Sequence, residues 1–410
     1  MNEHDKTRPA SSAQLAVFGG EPRFEEVKHV GRPNIGDREA FLARMRGVLD
    51  SMWLTNDGPL VREFEARIAD TLGVRNCITM CNGTVALEIA IRALGLQGEV
   101  IVPAFTFVAT AHALQWQEIT PVFCDVDPTT HVIDPGRIER HITPRTTGIL
   151  GVHIWGFPCD TAALEVIAER NDLRLLFDAA HAFGCLHRGT PIGNFGDAAV
   201  LSFHATKFLN AFEGGAVVTN DDALAERIKL MRNFGFVDFD QVTYLGTNGK
   251  MAEPAAAMGL TNLDALDEFV EHNRQVFDRY RRVLEGLPGV RLVEPASLNG
   301  WNYQYVVLDV NAEAAGLTRD ELVAVLWAEN VRARRYFYPG VHRMEPYRSF
   351  YPHSHLLLPE TERLVRRTMV LPTGTSVSVE DADVIGGILA QALDGAGEVR
   401  RALERREVHT

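Results

Sequence analysis

No stretch of the 410-residue chain approaches the roughly 18 consecutive apolar residues that a membrane-spanning helix needs, so a membrane protein is not expected. Positive charge is in short supply, with 41 Lys and Arg against 54 Asp and Glu and a net charge of −13. A chain with no global positive field has nothing to hold a phosphate backbone or an anionic bilayer, which excludes a nucleic-acid coat protein. A small phosphorylated ligand stays possible, because it needs only a few N–H donors and arginines. Cysteine is sparse and odd in number (Cys77, Cys81, Cys124, Cys159, Cys185), with no CxxC pair. A disulfide framework and a zinc site are therefore not expected, and no metal is assigned. Glycine (34) and proline (19) are too few for a collagen-like or low-complexity chain. The polar start, MNEHDKTRPASSAQ, lacks the apolar core of a secretion signal, so the expected compartment is the reducing cytoplasm.

What remains is an ordinary globular composition, 46% hydrophobic and 23% charged, long enough for a large core. The first 15 or so residues read as a disordered tail. From Phe41 to Leu72 the pattern is helical, interrupted by the turn chemistry of Thr55-Asn56-Asp57-Gly58-Pro59, and Phe64, Ile68 and Leu72 form one stripe. Short runs that are mostly apolar on both faces follow: Val100–Val102, Pro121–Cys124, Gly148–Ile154, Leu173–Phe177, Ala198–Phe203 and Ala216–Thr219. Helical stretches such as Ala86–Leu94 and Asp160–Arg170 lie between many of them. This alternation predicts an α/β fold around a mostly parallel sheet covered on both sides. After about residue 260 the pattern changes: one long helix over Leu263–Leu284, a strand at Val306–Val310, and helices at Arg319–Glu329 and Val379–Arg405. The expected organisation is a tail (1–30), a large α/β domain (31–260) and a smaller α+β domain (261–410).

In open α/β sheets ligands bind beyond the carboxyl ends of the strands. Asp178 ends the run LRLLF, and an aspartate there must be paired or hydrogen-bonded: to a metal, as a cap, or to a ring N–H. Ser202 closes the next run, which leads to Lys207 in SFHATK. A desolvated lysine has a lowered pKa and can form a Schiff base with a carbonyl; a surface lysine is the plain alternative. Asn82-Gly83-Thr84 opens a helix whose N-terminal N–H groups can hold an anion, although taken alone an ordinary Asn cap is the simpler reading. Add His181 beside Asp178 and the aromatic loop Pro103–Phe107, and the set suits one ligand. A phosphate cradle, a stacking ring, a carboxylate for a ring N–H and an amine for an aldehyde are what pyridoxal 5′-phosphate requires.

The ordered motifs GPLVREFE, CNGTVAL, VPAFTFVAT, PVFCDVD, HIWGFPCD, DAAHAFG, SFHATK, EGGAVVT and GTNGKM run over nearly the whole chain, with Asp178 and Lys207 29 residues apart. In them the sequence is similar to the DegT/DnrJ/EryC1/StrS aminotransferases, sugar-modifying enzymes of fold-type I that depend on pyridoxal phosphate. The resemblance implies that Lys207 is the Schiff-base lysine and proton shuttle, that Asp178 holds the ring nitrogen, and that His181 sits near the ring hydroxyl. It implies Phe107 against the ring, and Gly83, Thr84 and Ser202 at the phosphate. Asn248 would reach the phosphate or substrate of a neighbouring subunit in a homodimer with shared sites. A lysine rather than a histidine at 207 favours transamination over the family's dehydratase branch, with glutamate (or glutamine) as donor and pyridoxamine phosphate as the alternate cofactor form.

For the acceptor, RRYFYPGVHRMEPY and VHIWGFPCD resemble enzymes acting on nucleotide-linked 4-keto-6-deoxy sugars. The best reading is dTDP-4-keto-6-deoxy-D-glucose, aminated for a natural-product glycoside or a polysaccharide. The alternatives are a 3-keto sugar, an aminocyclitol ketone, or a pyridoxal-phosphate-dependent lyase or dehydratase. A diphosphate on so acidic a protein needs local arginines. Arg232, Arg334, Arg335 and Arg343 are the candidates, with Thr55, Tyr336, Tyr338 and His342 as further substrate-pocket candidates. An exposed strand end (Arg334, Arg335) and simple packing (the tyrosines) are the competing readings.

Overall fold

The computed structural model describes residues 15–407, so the expected disordered start lies almost wholly outside the described residues. Seven strands form the main sheet: β1 (Asn76–Met80), β2 (Glu99–Pro103), β3 (Thr120–Cys124), β4 (Thr146–Val152), β5 (Arg174–Asp178), β6 (Ala198–Ser202) and β7 (Gly215–Thr219). Their order is β1-β7-β6-β5-β4-β2-β3. Only β7 runs antiparallel to its neighbours, β1 and β6; the other pairings are parallel. The strands are buried almost throughout, as both-face coverage demands.

Eight helices accompany this sheet up to residue 283: α1 (Arg38–Ser51), α2 (Pro59–Leu72), α3 (Gly83–Ala93), α4 (Val108–Gln115), α5 (Thr161–Arg170), α6 (Asp222–Arg232), α7 (Glu253–Asp264) and α8 (Leu266–Val283). The expected stripe of α2 is confirmed, since Phe64, Ile68 and Leu72 are buried. Its N-cap, Gly58, has no side chain. Glu253 takes over the task from α7, its carboxylate accepting from Leu60 N and Val61 N at 2.9 Å each. The helix expected over Leu263–Leu284 is α8, except that its first two residues close α7, which ends before Ala265. Helix α7 carries no amphipathic stripe because Ala256 to Leu263 is buried on every side, which is why periodicity misses it.

The later residues add a three-stranded antiparallel sheet of β8 (Val290–Val293), β9 (Val306–Val310) and β10 (Thr368–Leu371), with helices at Arg319–Ala328, Pro359–Arg367, Val379–Asp394 and Ala396–Glu407. Sequence reading misses β1, β8 and β10; each is four or five residues long, and β1 opens on a polar Asn. The helix expected over Val379–Arg405 breaks into two at Gly395.

Residues 15–30 pack against these later elements. Lys28–His29 pairs in parallel with Val331–Arg332, Lys28 meets Asp381 at 2.6 Å, and Glu329 accepts from Ala16 N and Arg23 N. Leu15, Ala16 and Val17 are buried there, so this stretch is part of the folded body. Asn34 continues the strap: it donates to Phe208 O, just beyond Lys207, and accepts from Thr375. The buried carboxylate of Asp125, after β3, caps the helix Pro359–Arg367 through Glu360 N and Thr361 N and is paired with Arg137.

Candidate active site

The parallel register brings three strand ends to one edge. Val152 lies opposite Asp178, and Asp178 lies opposite Val200, two residues before Ser202. The antiparallel β7 enters from the same edge, where Gly215 is paired with both Ser202 and Met80. Helix α3 starts just after Met80, so its N-terminus arrives at the same point. A cavity of about 630 Å³ opens there.

At its floor, Asp178 is buried and hydrogen-bonded only to neutral donors. Thr110 Oγ1 donates to one oxygen at 2.9 Å and Ala180 N to the other at 3.1 Å, while Thr110 is itself linked to Thr106 at 3.0 Å. Burial raises the carboxyl pKa, against the opposing pull of these bonds and the Lys207 charge. No cation lies within ion-pair distance of it among the described residues. A buried carboxylate without a cation is costly, and a ring N–H⁺ resolves it.

Lys207 lines the same cavity. Burial lowers its amine to about 8, Asp178 pulling the other way. An amine of that pKa is free base in a useful fraction near neutral pH, as a nucleophile toward an aldehyde requires.

His181 lies three residues after Asp178. Its Nδ1 accepts from Trp155 N at 3.2 Å, and Trp155 is held at φ 61. Burial pushes the imidazole well below its ordinary pKa, with the Lys207 charge adding to it. A neutral ring that accepts at Nδ1 must carry its proton on Nε2, so His181 offers the cavity a donor.

The anion cradle is built from close backbone approach. A Cβ on Gly215 would sit 2.6 Å from Asn82 C, and one on Gly83 would sit 3.0 Å from Ser202 Cβ. Asn82 Oδ1 caps Val85 N, while the N–H groups of Gly83 and Thr84 precede any intrahelical partner. Those two N–H groups and Ser202 Oγ suit a phosphate at a helix start. Phe107, 57% exposed, presents its ring at the mouth. The donor set thus fits pyridoxal phosphate from ring nitrogen to phosphate.

Of the residues expected from sequence, Gly83, Thr84, Phe107, Asp178, His181, Ser202, Lys207, Arg334 and Tyr336 line this one cavity. The others do not, for specific reasons. Arg232 is bound by Glu65 at 2.5 Å, Asp57 at 3.3 Å and the Thr79 carbonyl, which turns its guanidinium into a buried strut. Tyr338 stacks under the guanidiniums of Arg319 and Arg335. His342 is buried and bonded to Glu362, which also holds Arg343; Arg335 is paired with Asp320. Thr55 and Asn248 are exposed and away from the cavity of their own chain. Arg334 alone among the four candidate arginines faces the cavity, its guanidinium 5.2 Å over the Tyr336 ring.

Sequence reading missed Thr106, Thr110, Trp155, His204, Glu213, Tyr305 and Phe337. Only the Thr106–Thr110 pair left a signal, a four-residue spacing at a helix start right after the aromatic loop.

Known proteins bear on this geometry. The profile of the DegT/DnrJ/EryC1/StrS aminotransferase family matches residues 36–390. The dTDP-4-amino-4,6-dideoxy-D-glucose transaminase of Shigella dysenteriae is 41% identical over 324 residues, 79% of this chain and 88% of that one. The crystal structure of DesI, obtained in the presence of its TDP-sugar product, superposes with a TM-score of 0.92 at 47% identity, covering 96% of this chain and all of that one. NtdA from Bacillus subtilis, with bound cofactor PMP, gives a TM-score of 0.78 at 28% identity, over 86% of this chain and 81% of that one.

Proposed function

Since the chain belongs to the DegT/DnrJ/EryC1/StrS aminotransferase family, we propose that it aminates the 4-keto carbon of dTDP-4-keto-6-deoxy-D-glucose, with glutamate as donor. It is a pyridoxal-phosphate-dependent aminotransferase of nucleotide sugars, with the α/β fold of that enzyme class. The observation that carries the assignment is the meeting of Lys207, Asp178 and the α3 N-terminus in one cavity.

Each residue then has a task. Pyridoxal phosphate, when bound, supplies an electron sink for the carbon that loses or gains a proton. Asp178 would hold the ring N–H, its buried charge favouring the protonated nitrogen. His181 Nε2–H would donate to the ring oxygen. Gly83 N, Thr84 N and Ser202 Oγ would hold the phosphate, and Phe107 would cover a ring face. Lys207 Nζ would hold the group at its aldehyde carbon and, as a free amine, would be placed to take up and return a proton. Val152, Ala180 and Phe337 add apolar lining to the cavity.

A homodimer is part of this reading. Met52, Trp53 and Leu54 are exposed on the turn before α2, and Phe234, Phe236, Phe239 and Leu245 are exposed after α6. The Asp57–Arg232 contact ties the two segments together, Arg62 and Lys250 lie over the Trp53 and Phe234 rings, and the other apolar side chains are left exposed for a second subunit to cover. Asn248 and Thr55 lie in the same two segments, where a second subunit would meet them. The compartment proposed is the reducing cytoplasm, where five unpaired thiols are stable.

The test is a single turnover. The pyridoxamine form is mixed with dTDP-4-keto-6-deoxy-D-glucose, the cofactor absorbance is followed, and the sugar is identified by NMR. A 4-amino sugar is the expected product. No reaction here, with turnover on a 3-keto sugar or a cyclitol ketone, overturns the substrate assignment.

A further inference from the structure

We propose that the hydroxyl of Tyr305 is a specificity-determining hydrogen-bond donor to a sugar hydroxyl of the acceptor, a contact the amino donor does not use. The inference rests on the amino-sugar reading above.

Four tyrosines are buried among the described residues: Tyr280, Tyr303, Tyr305 and Tyr347. Three of them are satisfied within the protein. Tyr280 donates to Pro372 O, Tyr303 donates to Leu298 O, and Tyr347 is bonded to His112 at 2.7 Å. Tyr305 is the exception. Its ring is 6% exposed, yet its hydroxyl has no hydrogen-bond partner among the described residues and is not among the polar atoms sealed from solvent. Buried polar groups are hydrogen-bonded, and with no protein partner on hand the hydroxyl takes its partner from the cavity, water when it is empty and a ligand atom when it is filled. The residue lines the cavity of Lys207.

The ring is held still. Its centroid lies 4.5 Å from that of His181, tilted 47°, and 5.3 Å from Trp155 in an edge contact. A donor fixed in this way loses little rotamer freedom on binding. Burial raises the phenol pKa well above its ordinary value, so the group stays a neutral donor.

The ligand atom is found by elimination and by chemistry. The cofactor's ring nitrogen, ring oxygen, aldehyde and phosphate already have partners in Asp178, His181, Lys207 and the α3 start. The two carboxylates of glutamate call for cations, and Arg334 is the cavity's unpaired guanidinium. A neutral phenol beside the rings of Tyr336 and Phe337 suits a neutral, hydroxyl-bearing ring. A sugar hydroxyl is that group.

The experiment uses Tyr305→Phe, which keeps the ring and its stacking. Calorimetry measures the affinity of the cofactor-loaded enzyme for dTDP-4-amino-4,6-dideoxyglucose and, separately, for dTDP. Stopped-flow absorbance follows the glutamate half-reaction. The expected result is amino-sugar nucleotide binding weakened about tenfold, the value of one lost neutral hydrogen bond. Binding of dTDP, the glutamate half-reaction and the pH titration of the cofactor absorbance stay as in the wild type. Unchanged amino-sugar binding overturns the inference. So does an equal loss on every readout, which marks a structural role, and so does a shifted cofactor titration, which assigns the hydroxyl to the cofactor. A wild-type enzyme that fails to bind the amino-sugar nucleotide overturns the substrate reading and this inference together.

Discussion

Replacing Asp178 by Asn separates the role of its charge from that of its shape. The amide keeps the carboxylate's outline. Its oxygen can still accept from Ala180 N, and Thr110, already linked to Thr106, can turn its hydroxyl to accept from the new NH₂. What disappears is a buried negative charge with only neutral donors around it. Without cofactor that charge is a liability. The folded-state pKa is raised, so the folded protein resists ionisation, and the stability lost to it grows as pH rises through the carboxyl range. The apoenzyme of Asp178→Asn should therefore melt no lower than the wild type at pH 7, and any advantage should vanish toward about pH 3, below the ordinary aspartate pKa, where the carboxyl is protonated whether folded or unfolded. With cofactor the sign reverses. A charge-assisted bond to the ring nitrogen contributes about 1.5–3 kcal/mol, and its loss also weakens the electron sink. At about 1.4 kcal/mol per tenfold, a loss of about 3 kcal/mol predicts kcat/KM lower by a factor of about 10². Calorimetric melting of the apoenzyme and steady-state kinetics of the loaded enzyme form the paired assay. Wild-type turnover would refute the role given to the charge. A large fall in the apoenzyme's melting temperature would show that Asp178 is needed for the fold instead.

Four further outcomes follow from the site and the fold around it. Lys207→Ala should leave no borohydride-reducible link to the cofactor and no turnover; normal turnover would remove the lysine from the mechanism. In the wild type, the rate at which apoenzyme captures pyridoxal phosphate should rise with pH around 8, where the Lys207 amine becomes free base, and Asp178→Asn should lower that midpoint by withdrawing the one charge that raises it. Gly215→Ala places a methyl 2.6 Å from the Asn82 carbonyl and 2.7 Å from Gly83 N, so α3 must shift; fluorescence titration should show cofactor affinity reduced about tenfold or more, the scale of an overpacking strain. Glu253→Ala strips two N–H groups of α2 of their acceptor and should cost about 1–3 kcal/mol, read as an earlier melting transition, while Glu253→Gln should recover part of it.

The fold and the centre of the site are legible in the sequence for one reason. Strands buried on both faces are apolar without a break, so the polar residue that ends each run stands out. Asp178, Ser202 and, a few residues on, Lys207 are found in that way, and the sheet register brings them together. The periphery is not legible. Arginine 232 is as visible in sequence as Arg334, yet Glu65 and Asp57 consume one while the other faces the cavity; the difference lies in partners 167 and 175 residues away. Tyr305 reads as one more aromatic residue in WNYQYVV, because what sets it apart is the lack of a partner its neighbours have. Helix α7 hides for the opposite reason: burial on every side erases the stripe that reveals α2.

The long-range ties carry a consequence for how the chain reaches this state. The residues at 16, 23 and 28 dock on Glu329, Asp381 and the strand Val331–Arg332, more than 300 positions downstream. Helix α2 receives its cap from residue 253, and Asp125 waits for a helix that begins at Pro359. During synthesis the early third of the polypeptide leaves the ribosome with its docking surfaces not yet made. Loop-closure entropy sets in before these contacts can form, which is the condition for slow, late consolidation. Such a nascent chain leaves these docking segments uncovered for about 15–60 s at elongation rates of about 5–20 residues per second, the state that chaperones recognise.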